Sequence, residues 1–262
     1  MVRFLFFIAV SGLQAAFGQT PKERYGGLAV GSSFYTLRDP TVSPLTYRGN
    51  PVLIGLSYEK RKSRSFSGWS LTGDLGKLHS KNATALRPMQ STVYRADLFY
   101  NHNRWLSDES DRWRWFLGGA WRWHNSIRVT EQNDTGMISF LIANSLEATG
   151  GVERTVRLGR KSARLSWMGE LPLLSHVIRP SYLNLYNYID PQNDFLGERL
   201  KDARIVTLNR FPALLSTTRL TYPIAGENQL RLTYEWSFYQ YDRPFPATIG
   251  RHSLSVQLLI RL

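Results

Sequence analysis

Residues 112–124 alternate with a period of two. Trp113, Trp115, Leu117, Gly119, Trp121 and Trp123 fall on one side, and Arg112, Arg114, Phe116, Gly118, Ala120, Arg122 and His124 on the other. Helical spacing would scatter these Trp and Arg side chains round the axis, whereas a strand sorts them onto opposite faces. Trp at both ends of one face is the pattern of aromatic girdles at two lipid–water interfaces. A strand that shows Trp to lipid and Arg to its other face needs an interior for the Arg, and a closed barrel supplies one.

The same texture runs through the chain in stretches of about ten residues, as membrane-spanning strands require. Ten strands are expected, at about 26–37, 51–60, 66–78, 91–103, 112–124, 143–158, 163–175, 211–223, 228–241 and 250–262. The connections alternate in length. Residues 60–64, 106–110, 159–162 and 224–228 are short turns, and 38–50, 79–90, 126–142, 176–210 and 242–249 are long. Short periplasmic turns, long outer loops and an even strand number are the rule for outer-membrane barrels. The expected fold class is therefore all-β, an antiparallel up-and-down transmembrane β-barrel of about ten strands. A further strand pair within 126–145 or 181–210 would make twelve.

The start of the chain agrees with export. Met1-Val2-Arg3 is positive, Leu5 to Val10 is apolar, and Ala16-Phe17-Gly18 offers small residues for cleavage before Gln19. Residues 1–18 are expected to be a cleaved signal peptide and 19–262 the barrel domain. The apolar run is shorter than the ~20 residues that a spanning helix needs. The chain has no Cys, which removes disulfides, thiolate metal sites and a lipoprotein anchor. The net charge of +13 is spread along the strands. In an exported chain it suits an anionic lipid surface, and no nucleic-acid partner is expected.

The inferred inner face carries Glu59, Asp74, Arg95, Asp97, Arg114, Arg122, Glu147, Glu153, Arg157, Arg164, Glu170, Arg219, Arg231, Glu235 and Arg261. A charge on the lipid face costs ~2–4 kcal/mol near mid-membrane, which favours this placement. A barrel of this size is narrow enough for side chains to fill, so a lumen plugged by Arg–carboxylate pairs is expected. A narrow passage with a charged lumen is the alternative. The girdle is assigned to Trp69, Tyr94, Tyr100, Trp113, Trp115, Trp121, Trp123, Trp167, Tyr222 and Trp236. In the long connection 176–210, Tyr182, Tyr186, Tyr188 and Phe195 lie in a Tyr/Asn-rich stretch suited to adaptable contacts, or to folding back over the barrel mouth.

Chemistry is harder to find. Ser175-His176, His79-Ser80 and His252-Ser253 are adjacent pairs, so on a strand their side chains point to opposite faces. Outer-membrane phospholipases instead use a lipid-facing Ser with a His two residues away. Omptin-type proteases carry clustered Asp and an Asp/His pair at the outer rim, and no Asp-x-Asp or Asp-x-His stands there in this chain. Glu147 and Glu153 share a face but lie ~20 Å apart along the strand, too far for paired acid–base work. No catalytic residue, metal site or cofactor is assigned.

In the last segment, Leu254, Val256, Leu258, Ile260 and Leu262 alternate with Ser253, Ser255, Gln257, Leu259 and Arg261. It resembles the closing strand of outer-membrane β-barrels, with Leu262 where an aromatic residue usually ends the chain. With Gln19-Thr20 at the mature start, it resembles barrels of Bacteroidota-type bacteria, many of which belong to multi-part complexes. The resemblance implies an outer-membrane location, contact with membrane lipid and association with other outer-membrane proteins. The functional expectation is a non-catalytic subunit or accessory of a larger outer-membrane complex. A charged-lumen channel, then a membrane hydrolase, are the alternatives.

Overall fold

A computed structural model describes residues 23–40, 43–80, 89–108, 111–132, 135–179, 183–184, 203–241 and 246–262. The expected signal peptide and Tyr182, Tyr186, Tyr188 and Phe195 lie outside these residues. The described chain is strand and turn throughout. The strands are β1 (Glu23–Asp39), β2 (Ser43–Gly49), β3 (Val52–Arg61), β4 (Ser65–Ser80), β5 (Gln90–Trp105), β6 (Arg114–Gln132), β7 (Thr135–Leu158), β8 (Lys161–Ile178), β9 (Leu183–Asn184), β10 (Ala203–Thr207), β11 (Ala213–Pro223), β12 (Gln229–Tyr241) and β13 (Ala247–Arg261).

Ten of these positions close a ring of antiparallel neighbours. β1 pairs β13 with Leu28 opposite Leu258, and pairs β3 with Leu28 opposite Leu56. From there each strand pairs the next, with β8 meeting β11 where Leu220 faces Leu165. Closure leaves no free edge among the ten, the condition for a sheet in hydrocarbon. β2 and β3 occupy one wall position, interrupted at Asn50-Pro51. Pro51 has no N–H for the ladder, and its carbonyl accepts from the Ser33 amide at 2.9 Å. β9 and β10 are additions at the outer end, paired to β7 and β8.

Two segments read as loops from the sequence are strand. Residues 126–132 and 135–142 form the outer ends of β6 and β7, and 43–49 form β2. The expectation tied strand length to bilayer thickness, but the ladder continues past the lipid because hydrogen bonding between strands does not stop at its surface. β8 carries a bulge: Leu146 faces Leu174 and Glu147 faces Pro172, leaving Leu173 as the extra residue. Pro172 again lacks the amide that regular pairing needs.

The wall is apolar outside and polar inside, the inverse of a soluble barrel. Val30 is 61% exposed and Ile54 63%, while Asp74 is 2% and Arg251 2% exposed. Trp69, Tyr94, Tyr100, Trp115, Trp121, Trp123, Trp167, Tyr222 and Trp236 take outward ladder positions, with Trp113 just ahead of β6. Such a belt of exposed Leu, Val and Ile is stable only against lipid.

Candidate functional site, a layered lumen

Inward residues from strands far apart in sequence meet in layers. At the periplasmic end, where the short turns lie, Arg164 bonds Glu23 at 3.2 Å and Gln229 at 2.7 Å. Above it, Arg61 grips both oxygens of Glu153 at 2.7 Å and reaches Glu59 at 3.0 Å. Arg231 closes the group on Glu59 at 2.7 Å. A small apolar cluster of Phe66, Phe99, Trp105, Phe116, Ala120 and Met168 lies alongside. The Arg114 guanidinium sits 4.1 Å from the Trp105 ring centroid, a cation–π contact.

The middle layer is denser. Asp74 accepts from Ser33 at 2.8 Å, Tyr35 at 2.6 Å, Arg95 at 2.6 Å and Arg251 at 2.9 Å. Arg95 also pairs Asp97, and Arg122 pairs Glu170 and, at 3.1 Å, Glu147. Arg251 continues to Glu235 at 3.1 Å. His124 Nδ1 lies 2.6 Å from Asp97, and its ring stacks on Tyr239 at 5.4 Å. Side chains buried this deeply cannot hold charge without such partners, so the network has to be nearly complete for the barrel to fold.

The outer layer is apolar. Leu37, Leu78, Val93, Leu141, Val177, Val206, Phe211 and Tyr241 belong to one buried cluster that crosses the lumen. Beside it Asp39 pairs with Arg128 and, at 2.6 Å, with Arg179. Among the described residues, small voids of about 80, 30 and 20 Å³ are lined in part by Arg219. Since one water needs roughly 10–15 Å³ of such space, these hold a few waters and no solute. Half-buried Arg219 has no carboxylate partner among the described residues.

The structure thus brings together Glu59, Glu153 and Arg231 in one layer, and Asp74, Arg95, Asp97, Arg122, Glu147, Glu170 and Glu235 in another. Two predicted lumen residues stand elsewhere. Arg157 is exposed by the β7–β8 turn, and Arg261 pairs with Glu227 in the β11–β12 turn at 3.2 Å. The alternation there runs past the lipid into water, so an inward ladder position is no longer an interior one. Sequence reasoning missed Arg61, Arg251, His124, Tyr35, Asp39, Arg128 and Arg179. Arg251 and His124 had the right parity, while Arg61, Asp39, Arg128 and Arg179 were read as turn or loop. The Ser members of the Ser–His pairs are buried in the wall's interior and the His members point outward, so no pair forms a dyad. No group of His, Asp and Glu suited to a metal occurs among the described residues.

The fold has solved counterparts. The outer-membrane protease OmpT from Escherichia coli superposes with a TM-score of 0.50 at 9% identity, over 94% of this chain and 98% of that one. The translocator domain of the autotransporter NalP from Neisseria meningitidis gives a TM-score of 0.48 at 9% identity, over 92% of this chain and 89% of that one. No protein-family model matches the sequence. No curated protein matches it either. The likeness to OmpT is one of fold, that of a Gram-negative outer-membrane β-barrel.

Proposed function

We propose that this chain is a sealed outer-membrane barrel that works through its outer wall and outer loops, as a non-catalytic subunit or accessory of a larger outer-membrane assembly. The observation that carries this reading is the filled lumen: two charged layers under an apolar layer, with voids sized for a few waters. A barrel that leaves no room for a solute has its wall and its rims available for function. The Asp97–His124 pair lies beneath the apolar layer, where a macromolecular substrate has no approach. Residues 1–18 act as the export signal in this reading.

A narrow passage is the second reading, favoured by Arg219, an unpaired guanidinium on the largest of the three voids. Two measurements on the native protein separate them. Mild detergent extraction from its own membrane, followed by sizing and identification of co-purifying chains, is expected to return a stoichiometric partner. Planar-bilayer recording is expected to show no steady conductance. A clean monomer with anion-selective conductance would replace the first reading by the second.

A further inference from the structure

The outer wall is not uniform. On the outer half of the lipid-facing belt, β3, β4, β5 and β6 enclose a groove of about 610 Å³. Its sides are Ile54, Leu75, Tyr94 and Ile127, and its floor includes Gly73 and Ala96. The register explains the hollow. Ile54 faces Gly73 and Gly73 faces Ala96, so two small residues sit in adjacent strands while large ones stand one step above. Val52, Leu75 and Tyr94 form that upper step.

Directly above the groove the wall changes character. Lys77 follows Leu75 on the same face of β4, ~7 Å along the strand, with His79 beyond it. Arg48 on β2 faces His79 on one side and Thr36 on the other. Arg38 stands one step beyond Thr36 on β1. All four side chains are exposed, and none has an acidic partner among the described residues. Around them the outward positions are Thr36 on β1, Thr46 on β2, Asn50 after it, and Gln90 and Thr92 on β5, and the first carboxylate along that row is Glu131 of β6, which faces Gln90 in the ladder.

We infer that this sector is a binding site for a phosphate-bearing lipid of the outer leaflet. One acyl chain occupies the groove, and the phosphate is held by Lys77, Arg48 and Arg38. The charge argues for the occupant. Three permanent cations concentrated on one wall, at the edge of the apolar belt, are matched by an anionic headgroup whose chains lie just below. A neutral hydrocarbon would fill the groove and leave that patch uncompensated. This site is independent of whether the lumen is sealed.

The test is native mass spectrometry of the full barrel released from detergent micelles holding equal amounts of dimyristoylphosphatidylglycerol and dimyristoylphosphatidylcholine. The two lipids share their chains and differ in net charge. The expected result is retention of the phosphatidylglycerol in roughly tenfold excess. The double substitution Arg48→Gln with Lys77→Gln abolishes that preference, whereas Arg160→Gln in the opposite, periplasmic turn leaves it unchanged. Ala96→Phe, which fills the groove, lowers retention of both lipids. Equal retention by the native protein, or an undiminished preference in the double variant, would overturn the assignment. Equal retention by the native protein overturns the assignment even if a variant fails to fold, and where the variants fold, the contrast between the double variant and Arg160→Gln ties the preference to this sector.

Discussion

Asp74 gathers Ser33, Tyr35, Arg95 and Arg251 from three other strands onto one carboxylate that is 2% exposed. Its removal leaves two buried guanidinium groups short of a counter-charge. Breaking a buried pair by deleting one partner costs ~3–5 kcal/mol, while a lost neutral hydrogen bond costs about 1 kcal/mol. Asp74→Asn is therefore expected to lower unfolding stability by ~3 kcal/mol or more, and Ser33→Ala by ~1 kcal/mol. Urea unfolding in phospholipid vesicles, followed by tryptophan fluorescence, reads both. Similar losses for the two variants would mean that Arg95 and Arg251 are satisfied by Asp97 and Glu235 without Asp74. Such a hub is invisible in sequence. Ser33, Asp74 and Arg251 can each be given an inward face by parity, but their meeting depends on registers fixed across four strands and on closure.

At the scale of elements, the break between β2 and β3 fixes how β4 passes. A Cβ on Gly76 would lie 2.6 Å from the Pro51 Cα, so the interrupted strand presses against β4 where only glycine fits. Gly76→Leu is expected to cost ~1–3 kcal/mol through overpacking. Gly119→Leu, whose Cβ meets nothing nearer than 3.6 Å on the lipid side, should change stability by less than about 0.5 kcal/mol. The same unfolding assay compares them, and equal effects would show that Pro51 can withdraw. The element scale is also where the sequence was most and least readable. The Trp/Arg alternation marks β6 plainly, because lipid demands an apolar side chain at every second position and the lumen accepts polar ones. That demand lapses above the bilayer. Ser126, Arg128 and Thr130 continue the inward row in a stretch that a length argument assigned to a loop. Asp39, Arg128 and Arg179 were missed for that reason, since all three lie in or next to outer extensions of the wall. β2 was hidden by Pro51, which reads as the start of a strand and is the middle of one.

For the whole molecule, the order of the layers decides whether anything crosses. Charged layers alone would admit water and leak ions, because guanidinium and carboxylate groups hydrate readily. The outer apolar layer is the barrier: Leu37 is 1% exposed, and Leu78 and Val177 are each at 0%. An apolar constriction closes a pore by excluding water, without any moving part. Introducing hydroxyls there should wet it. Leu78→Ser with Val177→Ser is expected to convert a silent barrel into one with measurable single-channel steps, at a stability cost of several kcal/mol from the two lost apolar contacts. The paired control is Arg219→Gln, which alters a void-lining charge below the barrier and is expected to leave the native barrel silent. Steps in the Arg219→Gln variant, with none in the Leu78/Val177 variant, would place the seal in the charged layers. The network around Asp74 and Arg122 would then be the gate, and the apolar cluster a core for the extended outer strands.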